Sequence, residues 1–369
     1  MSDTVLLTGA TGFVGMELLA RIVERDDADV ICLVRASSQE TAEARLGEIF
    51  ARLYDDPPAA ARARVSAIAG DMAAPALGLS AADRAALVER VTRVVHCAAA
   101  ISFDLPLDEA RQVNTDGAAR MLELSAQIAE RGQLRRHLHV STAYVAGRWR
   151  GRFRERDLDL GQGFRNTYEQ SKFEGEQALA AAADGLPVVV ARPSIIVGDS
   201  VTGWTSAFNV IYWPMRAFSR GLMDEVWIDP AAVADIVPID YVGAALLALL
   251  GAEHASGTVA LVAGERAPTN AELIELACRR FGREPPRIVA DAATRLQEAA
   301  LYAPYFGIEA SLDDTRARAL LGPLGLQAPP LRDYFEALID FAEQTRWGKR
   351  TITREAAARG APPAPREGG

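Results

Sequence analysis

Thr4-Val5-Leu6-Leu7-Thr8-Gly9-Ala10-Thr11-Gly12-Phe13-Val14-Gly15 stands at the head of the chain and decides its fold. Thr4–Thr8 is a short apolar run suited to a strand buried on both faces. Glycines follow at once, and a helical stripe begins with Val14, Leu18, Leu19, Ile22 and Val23. Between a strand and a helix, such glycines permit a tight turn, close approach of backbone to a pyrophosphate, and close packing of helix on strand. The helix N-terminus then offers free N–H groups and positive dipole to phosphate. Thr8, Gly9, Thr11, Gly12, Phe13, Val14 and Gly15 are therefore expected to hold a dinucleotide.

Working outward, Val30–Val34, Val65–Ala69, Val91–His96, Leu138–Val140 and Val188–Ala191 read as further strands. Helix patterns lie between them, as in Thr115–Glu130 and Thr167–Ala183. This alternation predicts an α/β fold, a Rossmann-type doubly wound parallel sheet with right-handed crossovers. Ser37 and Glu40 form a capping-box pattern before a helix near Thr41–Tyr54. After Gly198 the alternation fades. Helices are expected from Asp240 as N-cap, and at Pro268–Arg280, Ser311–Leu321 and Pro330–Thr345. The expected division is a cofactor domain over 1–200, with 233–264 returning to it. A smaller, mostly helical substrate region would comprise 201–232 and 265–348, and 349–369 would form a disordered tail.

Composition narrows the function. The 369 residues are 49% hydrophobic, ample for a core, and carry a net charge of −9, which argues against a nucleic-acid partner. Cys32, Cys97 and Cys278 are odd in number and far apart, so neither a disulfide framework nor a metal site is expected. That usage fits a reducing, cytoplasmic setting. The first strand leaves no room for a signal peptide, and no long apolar run suggests a membrane span.

Tyr168 and Lys172 lie in Asn166-Thr167-Tyr168-Glu169-Gln170-Ser171-Lys172. Of 40 basic residues only Lys172 and Lys349 are lysine. A lysine kept in an arginine-writing chain points to a task the rigid guanidinium fork does not fill. On a helix the two side chains share a face, and a cation there is expected to lower the tyrosine pKa, making Tyr168 a candidate acid/base. The second strand ends at Arg35, where an NAD site usually has an acidic residue; Arg35, with Arg45 in the next helix, suits a 2′-phosphate, so the expected cofactor is NADP(H). Asp71 after the third strand is placed to meet an adenine edge, with Met72 packing nearby, though a plain turn aspartate would serve as well.

Thr8–Gly15, Asp71, Cys97-Ala98-Ala99, Ser141-Thr142, Tyr168/Lys172 and Arg192-Pro193-Ser194 occur in the order seen in extended short-chain dehydrogenases/reductases, which the chain resembles over residues 3–265. Val95–Asp104, Val140–Gly147, Arg192–Ser200 and Asp235–Val242 resemble more narrowly the NAD(P)-binding domain of fatty acyl-CoA reductases and thioester reductases. The resemblance implies that Thr142 holds the substrate carbonyl oxygen and that Tyr168 protonates it as hydride arrives. Lys172 would hold the nicotinamide ribose and tune Tyr168. Ala98 and Ala99 would floor the cofactor site beside Ser141, and Pro193, Ser194 and Ile195 would line the nicotinamide face. Asn114 matches a family asparagine, with a helix-start role equally good. Cys97, His96 and His139 read as core. The larger alcohol-forming relatives carry a further C-terminal domain that is not evident here, nor is an adenylation or carrier domain.

The expected function is NADPH-dependent reduction of an acyl thioester, on CoA or an acyl carrier protein, to aldehyde and onward to alcohol if a second round occurs. The same residues would serve a reductase of ketones or secondary alcohols; a non-catalytic NADP-sensing protein would not need them. Trp204, Phe208 and Tyr212 have i, i+4 spacing and would line an acyl site from one helix face, or form a core stripe. Arg148, Arg150, Arg152, Arg154 and Arg156 recur at every second position; extended, they would form a ladder for CoA phosphates or a carrier protein, or a solvated loop.

Overall fold

The structure is a computed structural model, and it describes residues 3–252, 254–289 and 303–360. The opening apolar run forms β1 (Thr4–Thr8), buried along its whole length, and the glycine turn leads into α1 (Phe13–Arg25). Then follow β2 (Asp29–Arg35), α2 (Gln39–Leu53), α3 (Ala59–Arg64), β3 (Val65–Gly70), α4 (Ala81–Arg90) and β4 (Arg93–His96). The second half continues with α5 (Leu107–Asn114), α6 (Asp116–Glu130), β5 (Arg136–Val140), β6 (Gly151–Phe153), α7 (Thr167–Ala182), β7 (Val188–Pro193) and β8 (Ile195–Val197). Beyond it come α8 (Tyr212–Ser219), β9 (Glu225–Val226), β10 (Ile236–Pro238), α9 (Ile239–Gly251), β11 (Gly257–Leu261), α10 (Asn270–Phe281), β12 (Arg287–Ile288) and β13 (Ala310–Leu312).

Seven strands form one parallel sheet in the order β11-β7-β5-β4-β1-β2-β3. The order reverses at β1, so the chain winds outward in both directions and leaves a crevice at the carboxyl ends of β1 and β4. One face of the sheet is covered by α1, α2 and α9, burying Leu18, Ile22, Leu46, Leu246 and Leu249. The other is covered by α4 and α6 with Leu87, Met121 and Leu124. A further apolar cluster joins Phe153, Tyr212, Phe218, Tyr334 and Phe335, and packs the later helices against the carboxyl ends of the strands.

Several local expectations need correction. Ser38, not Ser37, caps α2, accepting from Thr41 N at 3.2 Å. α9 starts after Pro238, and Asp240 inside it accepts instead from Ser200 N and Oγ at 2.8 and 2.6 Å. The tail is ordered over Arg354–Gly360, which form a helix. Arg354 meets Glu17 and Glu24 of α1, each at 2.7 Å. Glu17 is buried and pairs with Arg21 at 2.6 Å, and the tail adds Arg354 as a second cation. Residues 361–369 of the expected tail lie outside the described residues. Among the described residues no helix is long and apolar enough to cross a membrane.

Candidate active site

A cleft of about 990 Å³ opens along the carboxyl ends of the strands. β2 and β5 lie on opposite sides of the switch point, so Arg35 at the end of β2 and Thr142 just past β5 mark its two ends.

The middle of the cleft is built for close approach. Gly9 has φ +76°, and a Cβ there would stand 2.6 Å from the Ala98 nitrogen; a Cβ on Gly15 would collide with the Gly9 carbonyl. No side chain caps α1 and no acidic residue occupies its first turn, so its N-terminus is open to an anion. Gly9, Thr11, Gly12, Phe13, Val14, Gly15, Ala98 and Ala99 all line the cleft. Thr8 does not: its buried hydroxyl bonds His96 Nδ1 at 2.8 Å and accepts from Ala98 N at 3.2 Å, holding the floor from below. Asp71 and Met72 line the cleft, and Asp71 Oδ1 also closes its own turn by accepting from Ala73 N at 2.9 Å. At the far end Arg35 and Arg45 are joined by Arg52, and Arg45 donates to the Arg35 carbonyl. Sequence reading passed over Arg52, although its seven-residue spacing from Arg45 puts both on one face of α2. This cradle, with its open helix end and close-packed floor, fits a dinucleotide.

At the other end, Thr142 caps the turn after β5, accepting from Tyr144 N at 3.2 Å. Asn166 caps α7, accepting from Glu169 N at 2.9 Å, which places Tyr168 in the first turn. The Thr142 and Tyr168 hydroxyls lie within hydrogen-bonding reach of each other and both line the cleft. Lys172, one turn on, is 2% exposed and donates to Val140 O at 2.9 Å. Asn114 sits at the end of α5. Its side chain accepts from Ala100 N (2.8 Å) and donates to Ala100 O and Ser171 Oγ (2.9 Å each), clamping the loop after β4 to α7.

The electrostatics differ from expectation. Lys172 was expected to lower the Tyr168 pKa; instead burial pushes the phenol up to about 12, opposed by the bond to Thr142 and reinforced by Glu169. Burial also brings the Lys172 ammonium down to about 8, opposed by Glu176. Desolvation outweighs the hydrogen bond from Thr142 at Tyr168 and the charge of Glu176 at Lys172. Tyr168 in this state is a protonated donor. Burial likewise raises the Cys97 thiol to about 12 and lowers His96 and His139, whose rings are 5.2 Å apart in the core.

Ser194 and Ile195 line the cleft, whereas Ser141 and Pro193 are buried beside it. Arg192, read only as a motif residue, pairs with Glu176 at 2.6 Å, both side chains 3% exposed, and donates to Asp157 O at 2.8 Å. It fixes β7 to α7. No helix spans 204–212: α8 begins at Tyr212, because the preceding stretch is turns that hold its polar groups locally. Trp204 and Tyr212 are core residues, and Trp204 packs on Phe13 with ring centroids 5.8 Å apart. Of the three expected acyl-site aromatics, Phe208 alone lines the cleft. Ile101, Phe103, Tyr144 and Tyr305 line it as well, and the sequence reading assigned none of them a site role. The arginine ladder is extended only over β6, which pairs in parallel with β13. That pairing sets Arg150 against Glu309 and Arg152 against Asp313, and Arg148 Nε donates to Phe164 O at 3.2 Å, so these three are engaged within the chain.

Comparison with known proteins places this geometry. A family model described as Male sterility protein, an NAD-binding domain, matches residues 7–246. The isonitrile lipopeptide synthase of Streptomyces coeruleorubidus is 34% identical over 70% of this chain and 17% of its own. Human fatty acyl-CoA reductase 1 is 28% identical over 64% of this chain and 52% of its own. The chain thus spans about half or less of the length of these two relatives. Among solved structures, the terminal R domain of the myxalamid PKS-NRPS biosynthetic pathway superposes with a TM-score of 0.81 at 24% identity, covering 95% of this chain and 93% of that one. At that identity the likeness shows a shared fold.

Proposed function

This chain belongs to the male sterility family of NAD-binding domains, within the extended short-chain dehydrogenases/reductases, and from that premise we propose that it reduces acyl thioesters with NADPH. One observation carries the reading. The Thr142 and Tyr168 hydroxyls converge at the end of a dinucleotide cradle, in a cleft whose wall exposes apolar side chains, Ile101 at 64%. The named activities of the fatty acyl-CoA reductase relatives favour a thioester over a ketone.

When bound, the dinucleotide supplies the hydride. Gly9 to Gly15 would hold its pyrophosphate, and Arg35, Arg45 and Arg52 a 2′-phosphate. Asp71 and Met72 would meet the adenine, Ala98 and Ala99 the floor, and Ser194 and Ile195 the nicotinamide face. Lys172 would hold the adjoining ribose. Thr142 and Tyr168 donate to the carbonyl oxygen of the acyl group and stabilise the negative charge that develops there. Tyr168 then gives its proton to that oxygen. The resulting hemithioacetal collapses to aldehyde and free thiol. The same two hydroxyls would serve a second reduction to alcohol. Residues 1–200 and 233–264 would thus form the cofactor domain, with 201–232 and 265–348 supplying substrate wall through Phe208 and Tyr305. The thiol carrier would be CoA or a carrier protein.

NADPH consumption measured with acyl-CoAs of several chain lengths, beside a set of ketones, tests this reading. Turnover with the thioesters is expected. Turnover confined to the ketones would replace it with a ketone reductase.

A further inference from the structure

We infer that Tyr305 sets how much bulk an acyl group can carry next to its reacting carbon. The inference rests on the proposed thioester reduction and adds a specificity-determining residue to it.

Tyr305 enters from a short turn, Ala303–Phe306, far along the chain from Tyr168. It is 3% exposed and is one of the residues that line the cleft. Its ring stacks on Phe103, with centroids 5.1 Å apart and planes at 25°, and meets Tyr144 edge-on at 5.0 Å. Phe103 in turn lies 5.9 Å from the ring of Tyr168. Such pairs add directional attraction to the area they bury. The other end of Tyr305 is fixed too. Its hydroxyl accepts from Asn166 Nδ2 at 2.9 Å and lies within hydrogen-bonding reach of the Glu169 carboxylate. Asn166 and Glu169 flank Tyr168 in the first turn of α7, so the catalytic tyrosine and this wall are held by the same turn. Thr167 Oγ1 donates to Leu105 O at 2.8 Å and steadies the loop bearing Phe103.

The wall is therefore rigid and lies one ring away from the proposed proton donor. A carbonyl oxygen held by Thr142 and Tyr168 leaves its own carbon beside that wall. The first carbons of the acyl group meet Phe103 and Tyr305 before the rest of the chain does. A fixed aromatic surface yields little to an added methyl, because interiors pack closely and overfilling strains them. A straight acyl chain fits such a wall better than one branched at the carbon next to the carbonyl.

The test compares kcat/KM for butanoyl-CoA and 2-methylbutanoyl-CoA in the wild-type chain, Tyr305→Ala and Tyr305→Phe, with NADPH affinity and thermal unfolding followed in each. The straight-to-branched ratio should fall by about tenfold or more in Tyr305→Ala, the size of a methyl clash in an apolar pocket. It should persist in Tyr305→Phe, which keeps the ring. General loss of stability lowers both rates and leaves the ratio unmoved. If Tyr305→Ala does not fold, Tyr305→Leu keeps apolar bulk for Phe103 and Tyr144 while removing the flat ring, and reads the same ratio. An unchanged ratio in a variant that binds NADPH normally would overturn this inference alone. Absence of thioester turnover in the wild-type chain would overturn the proposed function, and the inference with it.

Discussion

The Lys172 ammonium donates to the carbonyl oxygen of Val140 at 2.9 Å. Val140 ends β5 two residues before Thr142, and Lys172 stands one helical turn beyond Tyr168. One buried hydrogen bond therefore ties the strand that delivers one hydroxyl to the helix that delivers the other. Holding a carbonyl between two donors requires that separation to stay fixed, and a misplacement of about 1 Å can cost 10²-fold in rate. Lys172→Arg keeps a charge but puts a planar fork where a compact ammonium fits. It should lower kcat by at least about tenfold, measured as NADPH oxidation at saturating thioester.

The same lysine makes a prediction about pH. Burial holds its pKa at about 8, below the 10.5 of an ordinary lysine. Between those two values the unfolded chain keeps a proton that the folded chain has released, so this group makes stability rise with pH. Lys172→Met removes that titration. In urea unfolding without cofactor, the stability of wild type relative to Lys172→Met should increase from pH 8 to pH 10.5, by roughly 3 kcal/mol at most. A difference that stays flat or falls would contradict the buried ammonium.

Tyr168→Phe retains the ring that packs near Phe103 and removes the proposed proton donor. NADPH affinity should stay within a few-fold of wild type. Turnover should fall by about 10²–10⁴-fold, the usual scale for a general acid. Equal turnover would mean that the proton comes from another group.

Arg35, Arg45 and Arg52 converge on one end of the cleft. If they receive a 2′-phosphate, Arg35→Asp and Arg52→Asp should each weaken NADPH binding by tenfold or more and leave NADH nearly unchanged. Fluorescence titration of the reduced cofactors measures both. Equal losses for the two cofactors would place these arginines outside the phosphate site.

Arg192 and Glu176 form a buried pair whose removal by halves leaves a charge without its partner. Glu176→Gln or Arg192→Met should destabilise the fold by about 3–5 kcal/mol in urea titrations. A change within experimental error would mean that water reaches the pair.

How much of this was legible follows the range of the interactions. The glycine turn, the alternation of strands and helices, and the Tyr168–Lys172 spacing lie in short contiguous patterns with a local physical meaning, and the sheet and cleft form around them; Thr142 came in through the family resemblance. Tyr305 and Phe103 were not legible, because their roles arise from a contact between segments about two hundred residues apart. Arg192 and Glu176 were missed because their pairing is made only when β7 packs beside α7, 16 residues away along the chain. The arginine ladder and the spacing of Trp204, Phe208 and Tyr212 each left two readings open in the sequence. Each has a regular local period, but β13 supplies partners to the first and turns break the helix assumed for the second. The Tyr168 pKa was misjudged because a sequence displays neighbouring charges but not desolvation.

The central claim is that the hydroxyls of Thr142 and Tyr168 serve the reduction of a thioester. Its test is the reaction of the chain with excess NADPH and a long-chain acyl-CoA, with free thiol and NADPH absorbance followed together. One thiol should be released per NADPH consumed if the product is aldehyde, or one per two if it is alcohol, with both signals falling together in Tyr168→Phe. NADPH bound and no thiol released with any acyl chain length, while a ketone is reduced by the same preparation, would contradict it.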